Sequence, residues 1–165
     1  MKISMSLRKA ALLTLSLASS AGVFPNQALA ANWLYSGGID PMSDRTDSQA
    51  TTKLGEFFDE AVLGVKCEGT KLFVFARKGN VFHIDETIEV QFRIDSEVAK
   101  TNDWYWLAKL NMAVTSGAEA QQVASQFLTA AERIVFKVGD ESATVFGVES
   151  LGETVTQVLR DCGLD

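Results

Sequence analysis

The chain carries a single histidine, His83, in 165 residues. A Ser-His-Asp or Cys-His site needs a positioned histidine base. A zinc site needs three or four clustered His, Cys or carboxylate ligands. One histidine and two cysteines far apart in sequence meet neither requirement. His83 stands in "NVFHID" with Asp85 two residues on, which puts both on one side of a strand, but no glycine-rich nucleophile turn accompanies them. The G-x-x-x-x-G-K-[ST] phosphate loop and the dinucleotide fingerprint are missing as well. These absences lead us to expect a protein without catalysis and without a metal or other cofactor.

Long apolar runs are scarce too. Beyond the first thirty residues nothing approaches the ~20 apolar residues of a membrane helix, so we expect no membrane span in the mature chain. The first thirty have the layout of a secretory signal peptide. Lys2, Arg8 and Lys9 precede an apolar run from Ala10 to Ala18, and "ALA" at Ala28 to Ala30 is a small-residue cleavage site. No cysteine follows the apolar run closely, which argues against a lipid anchor. The expectation is export to the periplasm, cleavage after Ala30 and one domain over residues 31–165. The leader holds three basic and no acidic residues, so its removal deepens the formal net charge from −6 to −9. Such a surface repels nucleic acid and anionic lipid. Neither charge sign forms a long block.

Only two cysteines occur, Cys67 and Cys162. Both lie in the exported part, and an even count in an oxidising compartment favours a disulfide. The patterning around them is mainly β. "KLFVFAR" from Lys71 to Arg77 is rich in β-formers with two partly buried faces, as in a central strand. "TIEVQFRID" from Thr87 to Asp95 alternates cleanly, with Ile88, Val90, Phe92 and Ile94 on the apolar side. "DWYWLAKL" from Asp103 to Leu110 puts Trp104, Trp106 and Ala108 on one face. "RIVFKV" and "SATVFGV" flank "GDE" and read as a hairpin.

Two helices are signalled. One starts at Ser116 with Glu119 three residues later, a capping box, and carries a stripe of Ala120, Val123, Ala124, Phe127, Leu128 and Ala131. The other starts at Ser150 with Glu153 and repeats apolar residues at Val155, Val158, Leu159 and Cys162. That spacing turns Cys162 inward, consistent with a bridge to Cys67 at the start of a central strand. The expected fold is a mainly β (α+β) antiparallel, sandwich-like domain with two short helices, one of them C-terminal.

Three places attract a functional reading. "GGIDPMSDRTDS" from Gly37 to Ser48 gathers Asp40, Asp44 and Asp47. Calcium loops place oxygens at alternate positions, whereas these aspartates are spaced by four and three. Pro41 fixes one backbone angle and Ser43 and Asp44 suit turn capping, so a structured turn is expected. Trp104 and Trp106 form an aromatic face that is either core or a platform for sugar rings. Arg93 and Asp95 share the polar side of their strand, where a cross-strand ion pair is the simple expectation.

In order along the chain stand an early tryptophan with "DPMSD", then "VKCEGTKLFVF", then "IEVQFRID" followed by an alanine-lysine pair and a tryptophan. A helix then precedes "ERIVFKV", and "TVF", "SLGE" and a terminal "CGL" follow. This ordered set, from Trp33 to Leu164, resembles the VasI/TagO family of small exported proteins associated with the type VI secretion system. The resemblance implies that Asp40, Pro41, Met42 and Asp44 form an N-terminal signature. It implies that Cys67 and Cys162 are the family's paired cysteines, and that Arg93, Asp95 and Trp104 match its R-x-D…W pattern. It implies no known catalytic activity. The expected function is therefore an exported accessory protein of the secretion apparatus, acting on protein partners in the cell envelope without catalysis. The alternative is a periplasmic small-ligand or cell-wall-glycan binder using Trp104, Trp106, Arg93 and Asp95. A hydrolase built on Asp40, Asp44 or His83 ranks third.

Overall fold

The computed structural model describes residues 32–56, 59–79, 81 and 83–164, so the signal peptide expected at residues 1–30 lies outside the described residues. Among the described residues, nine strands and two helices follow in chain order: β1 (Leu34–Asp40), β2 (Arg45–Leu54), β3 (Ala61–Glu68), β4 (Lys71–Lys78), β5 (Thr87–Ile94), β6 (Lys100–Leu107), β7 (Met112–Ser116), α1 (Gly117–Phe127), β8 (Arg133–Val138), β9 (Thr144–Gly147) and α2 (Leu151–Asp161). All strand pairs are antiparallel and form one sheet in the order β1-β2-β3-β4-β7-β6-β5-β8-β9. The mainly β, α+β class read from the patterning is the class observed.

The topology is two meanders sharing a seam. β1 to β4 run outward as successive hairpins, with Gly69 at φ 66° making the tight turn between β3 and β4. β5 to β7 run back toward them, so that β7 pairs with β4 over Phe73–Ala76 and Ala113–Ser116. β8 and β9 then extend the far side through β5.

This sheet curls on itself. β4 and β8 are four steps apart in strand order, about 19 Å in a flat sheet. Here their Cα atoms come within 8 Å. Trp33 completes the closure: its backbone N–H donates to Glu149 O at 3.2 Å and its indole Nε1–H to Gly147 O at 3.0 Å. The residue entering β1 is thereby tied to the residues leaving β9. The sandwich-like character thus comes from two halves of one sheet facing each other.

The concave side holds the core. Alternation delivers Leu63, Val65, Val74, Ile88, Val90, Phe92, Ile134 and Phe136 to it, all buried. Trp33, Phe92, Trp104, Phe127 and Phe136 form an aromatic chain with successive ring centroids 5.5 to 6.2 Å apart. α1 contributes Ala120, Val123, Ala124 and Phe127, and α2 contributes Leu151, Val155 and Val158. Cys162 follows α2 on that inward face and is joined to Cys67 of β3, with Cα atoms 5.5 Å apart, inside the range a disulfide needs.

Both helix starts depart from the expected capping boxes. Ser116 occupies the cap position but makes no side-chain cap bond. Glu119 instead accepts hydrogen bonds from Thr115 Oγ1 at 2.6 Å and from Asn102 Nδ2, tying α1 to β7 and β6. Ser150 sits in the left-handed region at φ 61° and also makes no side-chain cap. Its carbonyl accepts the Thr154 N–H and hydroxyl. The stripe of α1 also ends early: Leu128 and Ala131 are exposed, because the chain leaves the helix after Phe127.

Candidate functional site

The stretch "GGIDPMSDRTDS" is the β1–β2 hairpin. Asp40 organises its turn. The carboxylate accepts the Met42 N–H at 2.9 Å and the Ser43 hydroxyl at 2.7 Å, and its carbonyl accepts the Asp44 N–H at 2.8 Å. The Met42 amide above all, then the Ser43 hydroxyl, holds the Asp40 carboxyl below its ordinary 3.8. Asp44 takes φ 53°, a left-handed angle that aspartate tolerates. Asp47 lies further along β2 and pairs with Lys66 of β3 at 3.4 Å. The three aspartates thus do three different things and do not converge. Among the described residues, no group of three His, Cys, Asp or Glu side chains could hold a metal ion.

β1 is exposed along nearly its whole length. It pairs with β2 on one side and is the last strand of the sheet on the other. It has no lysine, arginine or proline within it, the residues that usually protect an edge. Leu34, Ile39 and Met42 project from the hairpin at 66%, 69% and 92% exposure. Tyr35 anchors the strand, donating its hydroxyl to Asp161 Oδ2 of α2 at 2.7 Å. That hydrogen bond, with some burial, raises the Tyr35 pKa above its ordinary 10.0. The Tyr35 ring lies over Gly37, where a Cβ would collide with it and with Ser48. Beside the strand, Ser36 to Asp40, Asp47, Gln49 and Lys66 line a shallow groove of about 400 Å³.

The remaining sequence candidates sit elsewhere. Trp104 and Trp106 are core residues, 1% and 8% exposed, so neither offers a free face to a sugar ring. Tyr105, between them, is the exposed one. Arg93 and Asp95 do not form the expected ion pair. β5 ends at Ile94, and Asp95 turns away at φ 47°. Its carboxylate accepts three backbone N–H groups, from Ala131, Glu132 and Arg133, each at 2.8 Å. Burial pushes its pKa up, but those three amides and nearby Arg133 outweigh burial and leave it lowered. Asp95 is the clasp between α1 and β8.

His83 lies outside any strand, so the expected strand-side placement with Asp85 is not what is found. Its ring meets Trp106 edge-on with centroids 5.8 Å apart. Its Nε2 lies 2.5 Å from Thr87 O and 4.0 Å from Asp85. That environment holds a loop against the sheet.

Sequence reading missed Tyr35, and it missed the pairing of Arg93 with Lys137 on one cleft. The alternation of "RIVFKV" carries the signal for Lys137, since Phe136 inward sends Lys137 outward. No protein-family model, no curated protein and no solved structure matches this chain. No helix among the described residues is long and apolar enough to cross a membrane.

Proposed function

We propose that this chain is an exported accessory protein of the cell envelope that binds another protein through its first hairpin and carries out no chemistry. The observation that supports it is β1: an edge strand with no lysine, arginine or proline, carrying or followed by exposed Leu34, Ile39 and Met42. An extended partner segment adding to that edge would gain main-chain hydrogen bonds, and the projecting apolar side chains would set its specificity. Gly38, with open space where a Cβ would stand, keeps the strand narrow for such an approach. The Asp40-capped turn holds the hairpin in one shape before the partner arrives, which lowers the ordering cost of binding. The resemblance to the VasI/TagO family directs the search to the periplasmic side of the type VI secretion apparatus. The glycan reading has less support, because both tryptophans it relied on are buried.

The test is a pull-down from periplasmic extract with the tagged mature protein, read by mass spectrometry beside the Ile39→Lys variant. Ile39 is exposed, so this change should leave stability within about 0.5 kcal/mol. Recovery of envelope components of the secretion apparatus by the wild type, lost in Ile39→Lys, is the expected result. Equal recovery by both proteins, or recovery of no protein, sinks the proposal.

A further inference from the structure

The outer face of the far half of the sheet carries a second feature, independent of the hairpin. Strand register explains it. Arg93 of β5 faces Val135 of β8, which faces Val145 of β9. Gln91 of β5 faces Lys137 of β8 in the next outward row. Arg93 and Lys137 are therefore diagonal neighbours on the solvent side, since Phe92 and Phe136 between them point into the core. Ala99 and Ala143 flank them. Two long cations beside two alanines and a valine leave a depression of about 290 Å³.

Its charge is unusual for this molecule. The chain has 21 acidic and 15 basic residues. Yet among the described residues no carboxylate pairs with Arg93 or Lys137 within 4.0 Å. Two acids near Arg93 along the chain are engaged elsewhere. Glu89 accepts the Gln91 side-chain N–H at 2.7 Å, and Asp95 is held by the amides of residues 131–133. The Arg93 Nε is also buried without a hydrogen-bond partner. A buried guanidinium N–H left unpaired is unfavourable, and an oxyanion is its natural acceptor.

We infer that the Arg93–Lys137 cleft is a binding site for a carboxylate borne on a small apolar group. Arg93 supplies a planar donor edge that matches a two-oxygen acceptor, and Lys137 supplies a second positive charge. Val135, Ala99 and Ala143 give the apolar part somewhere to lie. Such a carboxylate could come from a free small acid or from the end of a peptide. Phosphate shares the charge but not the apolar body.

The experiment is a titration of ¹⁵N-labelled mature protein at low salt, following backbone amides and the arginine Nε–H signals. Sodium benzoate, a short peptide with a free C-terminal phenylalanine and inorganic phosphate are added separately. Saturable benzoate shifts at the Arg93 Nε–H, Ala99, Lys137 and Ala143 are expected, weakened at least tenfold in Arg93→Gln and in Lys137→Gln. Binding of the peptide tighter than benzoate assigns the peptide source, and the reverse assigns the free acid. Ala143→Leu fills the depression at an exposed position without changing charge, and should also abolish binding. Absence of saturable shifts with either carboxylate probe overturns the inference. So do shifts unaltered by all three substitutions, or phosphate binding tighter than both carboxylates at the same residues. The Ile39→Lys variant should bind benzoate as the wild type does, which keeps this site distinguishable from the hairpin.

Discussion

Replacing Cys67 and Cys162 together by alanine should lower the stability of the domain by about 2–5 kcal/mol. The two residues are 95 apart in sequence. Chain-entropy arguments give about 4.7 kcal/mol for a closed loop of that length, and measured bridges usually deliver about 2–4. Domains of this size are stable by only about 5–15 kcal/mol in total. Both cysteines are buried, so alanine also leaves a small void under α2 that adds to the loss. At about 3–4 °C per kcal/mol for a chain of this length, loss of the bridge's share of about 2–4 kcal/mol should lower Tm by roughly 6–16 °C. The assay is calorimetry and urea unfolding of the wild type, the reduced wild type and the double variant. Reduced and double-variant proteins should agree within about 1 kcal/mol, the usual scale of a small-void effect. A loss under about 1 kcal/mol would refute the entropic reasoning. Two free thiols in the unfolded, unreduced protein would remove its premise.

Two further outcomes follow from the clasp and the closure. Asp95→Ala removes an acceptor for three backbone amides and puts alanine at a left-handed angle, so stability should drop by about 2–4 kcal/mol. Asp95→Asn keeps the angle and should lose less. The Asp95 carboxyl titrates lower in the folded chain than its ordinary 3.8. Its contribution is therefore complete above that value and disappears as pH falls through the lower folded value. The stability gap between wild type and Asp95→Asn, measured by urea unfolding, should be constant near neutrality and close only at acid pH. Trp33→Ala deletes a buried indole and its bond to Gly147 O, and should cost about 3–5 kcal/mol by the same measurement.

The sequence made the far half of the sheet legible, because β5 and β8 alternate cleanly and the "GDE" turn marks the step from β8 to β9. β2 and β3 were not read as strands. β2 is "RTDSQATTKL", whose inward residues are Ser48, Ala50 and Thr52, too polar and small to stand out. β3 carries Gly64 at a strand centre, where the Phe75 ring of β4 fills the space a side chain would take. The turn at Asp40 was readable because proline and aspartate have local preferences. The role of Asp95 was not, since its partners lie 36 to 38 residues away and alternation alone put it beside Arg93. The burial of Trp104 and Trp106 required knowing which side of β6 becomes concave, and that is decided by the curl of the whole sheet.

The bridge between β3 and the residue after α2 has a consequence for survival as well as for folding. It spans the exposed loop at residues 96–99 and the turn at residues 139–143. Exposed loops of small and polar residues are where proteases cut first. A single cut at either place would leave two fragments still joined through Cys67 and Cys162. After a cut at 96–99 the sheet pairs β4 with β7 and β5 with β8 would hold them in register, and after a cut at 139–143 the pair β8 with β9 would. The first hairpin lies wholly upstream of both cutting places, so a nicked molecule would keep its projecting edge intact and covalently attached to the rest.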